Sequence, residues 1–224
     1  MTSVLVLTAV DVEARGLARH LGLARVPDRD WPCYRGGRIE IACIGPRAVR
    51  LSERLTDDWL APAVVVSAGV CGALAPALAT GALVVPEAVV VDGARLALDP
   101  LPGLPASGTL LSVASVVGTP TAKARLWMET GAIAMDMESG AIAAWTRRRG
   151  TRVAVVRGVS DTAQETVPAD LAALVEAGGR VRAASALRAV LARPRAARDA
   201  LALGRGTAAA LKSVAAALAS LART

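Results

Sequence analysis

Four carboxylates stand where this chain could do chemistry. Asp136 and Glu138 flank Met137 in "AMDMESGAIA", inside a run that is otherwise small and apolar; Glu13 follows the first apolar run in "TAVDVEA", and Asp161 follows "VAVVRGVS". A carboxylate only accepts hydrogen bonds when ionised and donates when protonated, so such groups can bind hydroxyls or move protons. Glu13, Glu138 and Asp161 each come directly after a predicted strand. In an α/β sheet that is the rim where ligands bind, and three residues far apart in sequence could converge there. Each acid also has a plain local use. Asp136 or Ser139 could cap a helix with Glu138 in its first turn, Ser160 and Asp161 could cap the segment after their strand, and Asp11 and Glu13 suit a helix start.

Other chemistries are poorly provided for. The only histidine, His20, sits between Arg19 and Leu21 in a helical stretch, so triads and metal sites built on histidine are not expected. Cys33, Cys43 and Cys71 are an odd set without C-x-x-C spacing, which argues against a disulfide framework or zinc site and for a reducing cytosol. No metal or organic cofactor is expected. No G-x-G-x-x-G follows the first strand, which disfavours a nicotinamide-dependent dehydrogenase. Met1-Thr-Ser runs straight into a strand without a charged leader, so no signal peptide is expected.

The elements that must position these acids alternate along the 224 residues. Strands are predicted at 4–9, 39–45, 63–69, 82–91, 110–117, 132–135 and 152–160. Helices are predicted after the first strand, across 47–60, at 121–131 and 137–149, and through the remainder of the chain. Residues 92–108, rich in Gly and Pro, read as a loop. The uncharged stretch from Trp59 to Pro86 is punctuated by Pro62, Gly69, Gly72, Pro76 and Gly81, and reads as two buried strands around a glycine turn, not as a membrane span. The pattern predicts a single-domain three-layer α/β/α fold with a central mixed, mainly parallel twisted sheet and C-terminal helices. With no Phe and one Tyr, the core must be Val, Leu, Ile and Ala.

Charge divides the chain. The net +7 resides in the end: residues 180–224 carry nine basic side chains against Asp199 alone. A catalytic domain is therefore expected over 1–192 and a basic amphipathic helical segment over 193–224. In that segment Leu211, Val214, Leu218 and Leu221 form a stripe, with Arg205, Lys212 and Arg223 on another face. It could pack on the domain or a partner subunit, or bind an anionic membrane surface. With no aromatic residue in it, nucleic acid is not an expected partner.

Taken together, "LTAVDVEA", "VVSAGVCGALAPALATGALVVPEAV" (64–89), "AMDMESGAIA" and "VRGVSDTA" (156–163) resemble the nucleoside phosphorylase and nucleosidase superfamily, whose members cleave the bond between a base and a ribose. The likeness spans most of 1–180, and its last two segments are the specific ones. It implies that Glu138 accepts hydrogen bonds from the ribose hydroxyls and that Met137 packs on the sugar. It implies that Asp161 assists departure of the purine by providing a proton at N7, so that Asp161 must be protonated when substrate binds. Glu13 would orient or deprotonate an attacking water, and Asp136 has no role by this likeness.

Departures from the pattern accompany these matches. Val70 stands where relatives often hold the nucleophile with serine, so Gly69, Val70 and Arg47 are the candidates for a phosphate or water pocket. The base-stacking phenylalanine of many relatives has no counterpart, which leaves Trp127 and Ser160 as candidates for the base pocket. The C-terminal segment and short loops resemble the hopanoid-associated branch, the adenosylhopane phosphorylases. That likeness implies a lipid-linked adenine nucleoside as substrate, with inorganic phosphate as co-substrate and phosphorolysis favoured over hydrolysis by a narrow margin. It also implies a cytoplasmic homodimer or larger homo-oligomer, peripheral at the inner face of the cytoplasmic membrane. The alternatives are a methylthioadenosine/S-adenosylhomocysteine-type nucleosidase and a non-catalytic nucleoside- or lipid-binding protein.

Overall fold

The computed structural model describes residues 3–56, 62–167 and 194–223. Eleven strands form one mixed sheet: β1 Val4–Thr8, β2 Ala24–Arg25, β3 Cys33–Gly36, β4 Ile39–Cys43, β5 Val64–Ala73, β6 Leu83–Val84, β7 Ala88–Val91, β8 Ala94–Ala97, β9 Thr109–Ser112, β10 Ala134–Asp136 and β11 Arg152–Asp161. The helices are α1 Asp11–Leu21, α2 Leu51–Arg54, α3 Pro120–Thr130, α4 Ser139–Arg148 and α5 Pro194–Arg223, with a 3-10 turn at Pro46–Ala48. Parallel ladders join β4 to β1, β1 to β5, β5 to β11, and β10 through β9 to β7. The pairing of β5 with β10 is antiparallel, as are those that add β2, β3, β6 and β8.

Alternate residues of the central strands feed two cores, because strand side chains project to opposite faces in turn. Val4, Val6, Val64, Val66, Ala154 and Val156 pack with α1 and α5, whereas Leu5, Leu7, Val65, Val153 and Val155 pack on the other side with Ile142, Ala143 and Trp145 of α4. Helices cover both faces, giving the three-layer α/β/α architecture.

The stripe Leu211, Val214, Leu218 and Leu221 lies within the first of these cores. It is therefore buried on protein, and the reading in which these leucines face a membrane is corrected by that packing. Gly158 makes the contact close: a β-carbon there would sit 2.4 Å from the Ala210 carbonyl oxygen, and one on Gly206 only 2.0 Å from that of Ser160. No helix among the described residues is long and apolar enough to cross a membrane. The further helices expected across 168–193, and the boundary expected at 192/193, lie outside the described residues.

Several predicted elements differ in extent. The run 82–91 is divided at Pro86, which has no N–H for a ladder, into β6 and β7. The loop expected at 92–108 contains β8, which forms a hairpin with β7 around Asp92 and Gly93, both at positive φ. The helix expected across 47–60 is reduced to the 3-10 turn and α2, with 57–61 outside the described residues. The glycine turn expected after residue 69 is strand: β5 runs on to Ala73.

That continuation creates the site. β1 accompanies β5 only as far as Ser67, and β10 joins the same strand at Gly72 and Ala73. Between them the sheet forks, and the backbone of β5 near Val70 faces the gap. A fork of this kind at the carboxyl end of parallel strands is where an α/β sheet offers a crevice.

Candidate active site

A cleft of about 270 Å³ opens at the fork, lined by Glu13, Val70, Met137, Glu138, Ser160 and Asp161 together with apolar side chains. The three acids singled out at strand ends are thus brought to one cavity, although they derive from α1, the β10–α4 junction and the end of β11.

Glu13 occupies the third position of α1 and turns its carboxylate back over the helix start. Its Oε2 accepts from Ala9 N (3.0 Å) and Val10 N (3.2 Å), and its Oε1 accepts from Val70 N at 2.8 Å across the fork. The group closes the helix N-terminus and also ties β1 to β5. Gly69 makes room for it: a β-carbon there would lie 2.3 Å from Glu13 Oε1 and 2.7 Å from Arg157 Nη1. Burial pushes the Glu13 carboxyl above its ordinary range, with Arg157 and the three N–H donors pulling the other way.

Arg157 is a residue that sequence reasoning missed. Its guanidinium is fully buried, paired to Asp136 Oδ2 at 2.6 Å, and it donates to Ser67 Oγ (2.8 Å) and Ser139 Oγ (3.2 Å). Burial opposes its charge, yet Asp136, Glu138 and Glu13 outweigh that and hold the guanidinium above its ordinary value. The signal was available: an arginine within the apolar run "VAVVRGVS" must find partners if that run is a buried strand. Asp136 does cap α4, accepting from Ser139 N at 3.0 Å and Ser139 Oγ at 2.5 Å, but the same carboxylate oxygen also pairs with Arg157. Capping is half of its role.

Glu138 sits at the start of α4 and accepts from Arg47 N at 2.8 Å. Burial first, then the neighbouring Asp136 charge, push its carboxyl up to about 7. Met137 beside it lines the cleft. Arg47 itself contributes only this backbone N–H, from a turn held at φ 55°; its side chain is exposed. The anion-gripping role considered for that side chain therefore has no support.

At the other end of the cleft, Asp161 Oδ1 accepts from Ser160 Oγ at 2.7 Å, and Asp161 Oδ2 accepts from Lys123 Nζ at 2.6 Å. The lysine, from α3, was not anticipated; "TAKARLW" reads as an ordinary helix start. The ammonium and the Ser160 hydroxyl between them engage both oxygens of the carboxylate. Trp127 is not among the cleft's lining residues. It is half-buried on α3 and packs with Leu74, Ala132 and Met135. The cleft walls are aliphatic instead: Val113, Val116, Val117, Met135, Val167 and Leu203. Among the described residues, no group of three or more His, Cys, Asp or Glu is arranged to hold a metal ion.

The sequence family described as the phosphorylase superfamily matches residues 103–193, which include the β9–α3 segment, α4 and Asp161. Solved structures of the same architecture match along nearly their whole length. Residues 103–193 thus resemble the phosphorylase superfamily in sequence, and the whole chain resembles these structures in fold. The 5′-methylthioadenosine nucleosidase of Arabidopsis thaliana is 18% identical, with a TM-score of 0.68 over 99% of this chain and 96% of that one. The 5′-methylthioadenosine/S-adenosylhomocysteine nucleosidase of Neisseria meningitidis, in complex with methylthio-immucillin-A, is 17% identical, with a TM-score of 0.70 over 99% and 98%. Futalosine hydrolase of Helicobacter pylori is 15% identical, with a TM-score of 0.67 over 98% and 97%. No curated protein matches the chain.

These findings correct the expectation of phosphorolysis on adenosylhopane. The three solved structures described above, which match over almost their full length, are two nucleosidases and a hydrolase, and nothing marks a hopanoid-specific branch. Physical reasons point the same way. The Val70 N–H, which a phosphate oxygen could have used, is held by the Glu13 carboxylate, and a negative group there repels a second anion.

Proposed function

We propose that the protein is a nucleosidase that hydrolyses the N-glycosidic bond of a purine nucleoside of the methylthioadenosine, S-adenosylhomocysteine or futalosine type. The observation that carries this reading is Glu13, whose carboxylate occupies the place at the fork where a phosphate would need donors. One oxygen faces Val70 N and the other the turn after β1, and each retains a lone pair for a water proton. A carboxyl raised by burial is better matched to general-base work near neutral pH than an ordinary glutamate.

In this mechanism Glu138, as a carboxylate, accepts from the vicinal ribose hydroxyls, with Met137 against the sugar. As the bond from C1′ to the base stretches, its electron pair moves onto the purine and positive charge develops on the ring. Glu13 and Glu138 stabilise that charge, and water assisted by Glu13 adds to C1′. Asp161, held by Ser160 and Lys123, faces the departing base. The aliphatic wall of Val113, Val116, Val117 and Leu203 suits a nucleoside whose 5′ substituent is apolar.

The test is base release from 5′-methylthioadenosine, S-adenosylhomocysteine and futalosine, in phosphate and in phosphate-free buffer. Equal rates in both buffers, with the free sugar as product, are expected. A requirement for phosphate, or no base freed from any of the three, would overturn the reading.

A further inference from the structure

Lys123 is placed at a double disadvantage. It is fully buried, which lysines almost never are, and it lies in the first turn of α3, where the helix dipole disfavours a cation. Thr119 caps that turn, its Oγ1 accepting from Ala122 N at 3.2 Å, so the helix start is well formed and its geometry fixed. All three ammonium hydrogens have partners: Asp161 Oδ2 at 2.6 Å, Thr162 O at 2.7 Å and Glu165 O at 3.0 Å. The lysine thus holds the carboxylate and also the loop after it. Gly118, just before α3, is stitched to that loop through Val167 N, which donates to Gly118 O at 2.8 Å. Gly72 leaves the space on the far side, since a β-carbon there would lie 3.0 Å from Asp161 Oδ2.

From this arrangement we infer that Lys123 is the positioning residue through which Asp161 acts on the leaving base, and the source of the proton that the base takes. The inference rests on the nucleosidase reading. As the electron pair of the glycosidic bond moves onto the purine, a proton passes from Lys123 Nζ to Asp161 and onward to the purine nitrogen. The lysine is left as a neutral amine and regains its proton from solvent after the products leave, so charge and atoms balance. The groups facing Asp161 are Lys123 from α3, the buried Cys71 thiol from β5 and Glu165 on the following loop. Glu165 spends its carboxylate on Thr162 N at 2.7 Å, and burial raises the Cys71 thiol, which leaves Lys123 as the acid on hand.

Lys123→Met and Lys123→Arg, assayed from pH 5 to 10 on whichever of the three nucleosides the wild type uses best, test this. Lys123→Met should lower kcat by about 10²-fold or more, the usual worth of a general acid, with KM within about threefold. Lys123→Arg should lower kcat by about 10²-fold as well, because a guanidinium keeps the charge beside Asp161 but does not release a proton. If the methionine variant does not fold, the kcat of Lys123→Arg decides alone. A methionine or an arginine variant as fast as wild type would overturn the inference while leaving the nucleosidase reading intact. A wild type that frees no base would end both.

Discussion

Three carboxylates, Glu13, Asp136 and Glu138, share one guanidinium at the floor of the cleft, so they cannot all be ionised cheaply in a dry site. Glu138 bears the consequence, with its carboxyl raised from an ordinary 4.5 to about 7. The folded chain therefore holds a proton on Glu138 between those values that the unfolded chain has lost. This contribution to stability is complete below about pH 4.5 and is lost as pH rises through about 7. Glu138→Gln should accordingly melt at a higher temperature than wild type at pH 8, by up to about 3 kcal/mol of stability, and at a similar one at pH 5. In the proposed reaction ribose is bound by the ionised form, so wild-type KM should fall as pH rises through about 7. Calorimetry and steady-state kinetics check the two halves separately. A second expectation concerns Gly69. Gly69→Ala drives a methyl into Glu13 and Arg157, and a displacement of this size should lower kcat by about 10²-fold. At this scale the sequence was partly legible. Acids after strands announce themselves, and so does an arginine inside an apolar run, but Lys123 resembles any helix-surface lysine until α3 is laid against β11.

Among the elements, β5 is decisive, because it changes neighbours along its length from β1 to β10 while β11 follows its other edge throughout. Its glycines read as a turn in sequence, since glycine weakens a strand interior. They are tolerated because carboxylates approach the backbone where side chains would stand, Glu13 at Gly69 and Asp161 at Gly72. Only the three-dimensional partners distinguish such a strand from a turn. The C-terminal helix was legible as amphipathic, but its stripe could have matched lipid or protein equally well. Its burial makes a direct prediction: Leu218→Ala should cost about 2–5 kcal/mol in urea unfolding, the range for a truncated core leucine. Substituting the exposed Lys212 should change stability by no more than about 0.5 kcal/mol.

For the molecule as a whole, the alternation of strands and helices foretold the three layers, since β-branched runs separated by amphipathic helices have few other ways to bury themselves. What the chain lacks is as informative as what it has. Among the described residues, those lining this cleft offer a purine valine and methionine walls and no ring on which to lie flat. In the proposed reaction, discrimination between one heterocycle and another is then slack, while the Glu138 carboxylate at the sugar end is strict. Removing the 2′-hydroxyl from a substrate leaves that carboxylate with the Arg47 N–H but without the hydroxyl donor, and such losses reach about 10⁴-fold in specificity. Swapping the purine for a close analogue should cost far less, so a competition between 2′-deoxy and base-altered nucleosides would reveal an enzyme that reads its substrate from the pentose.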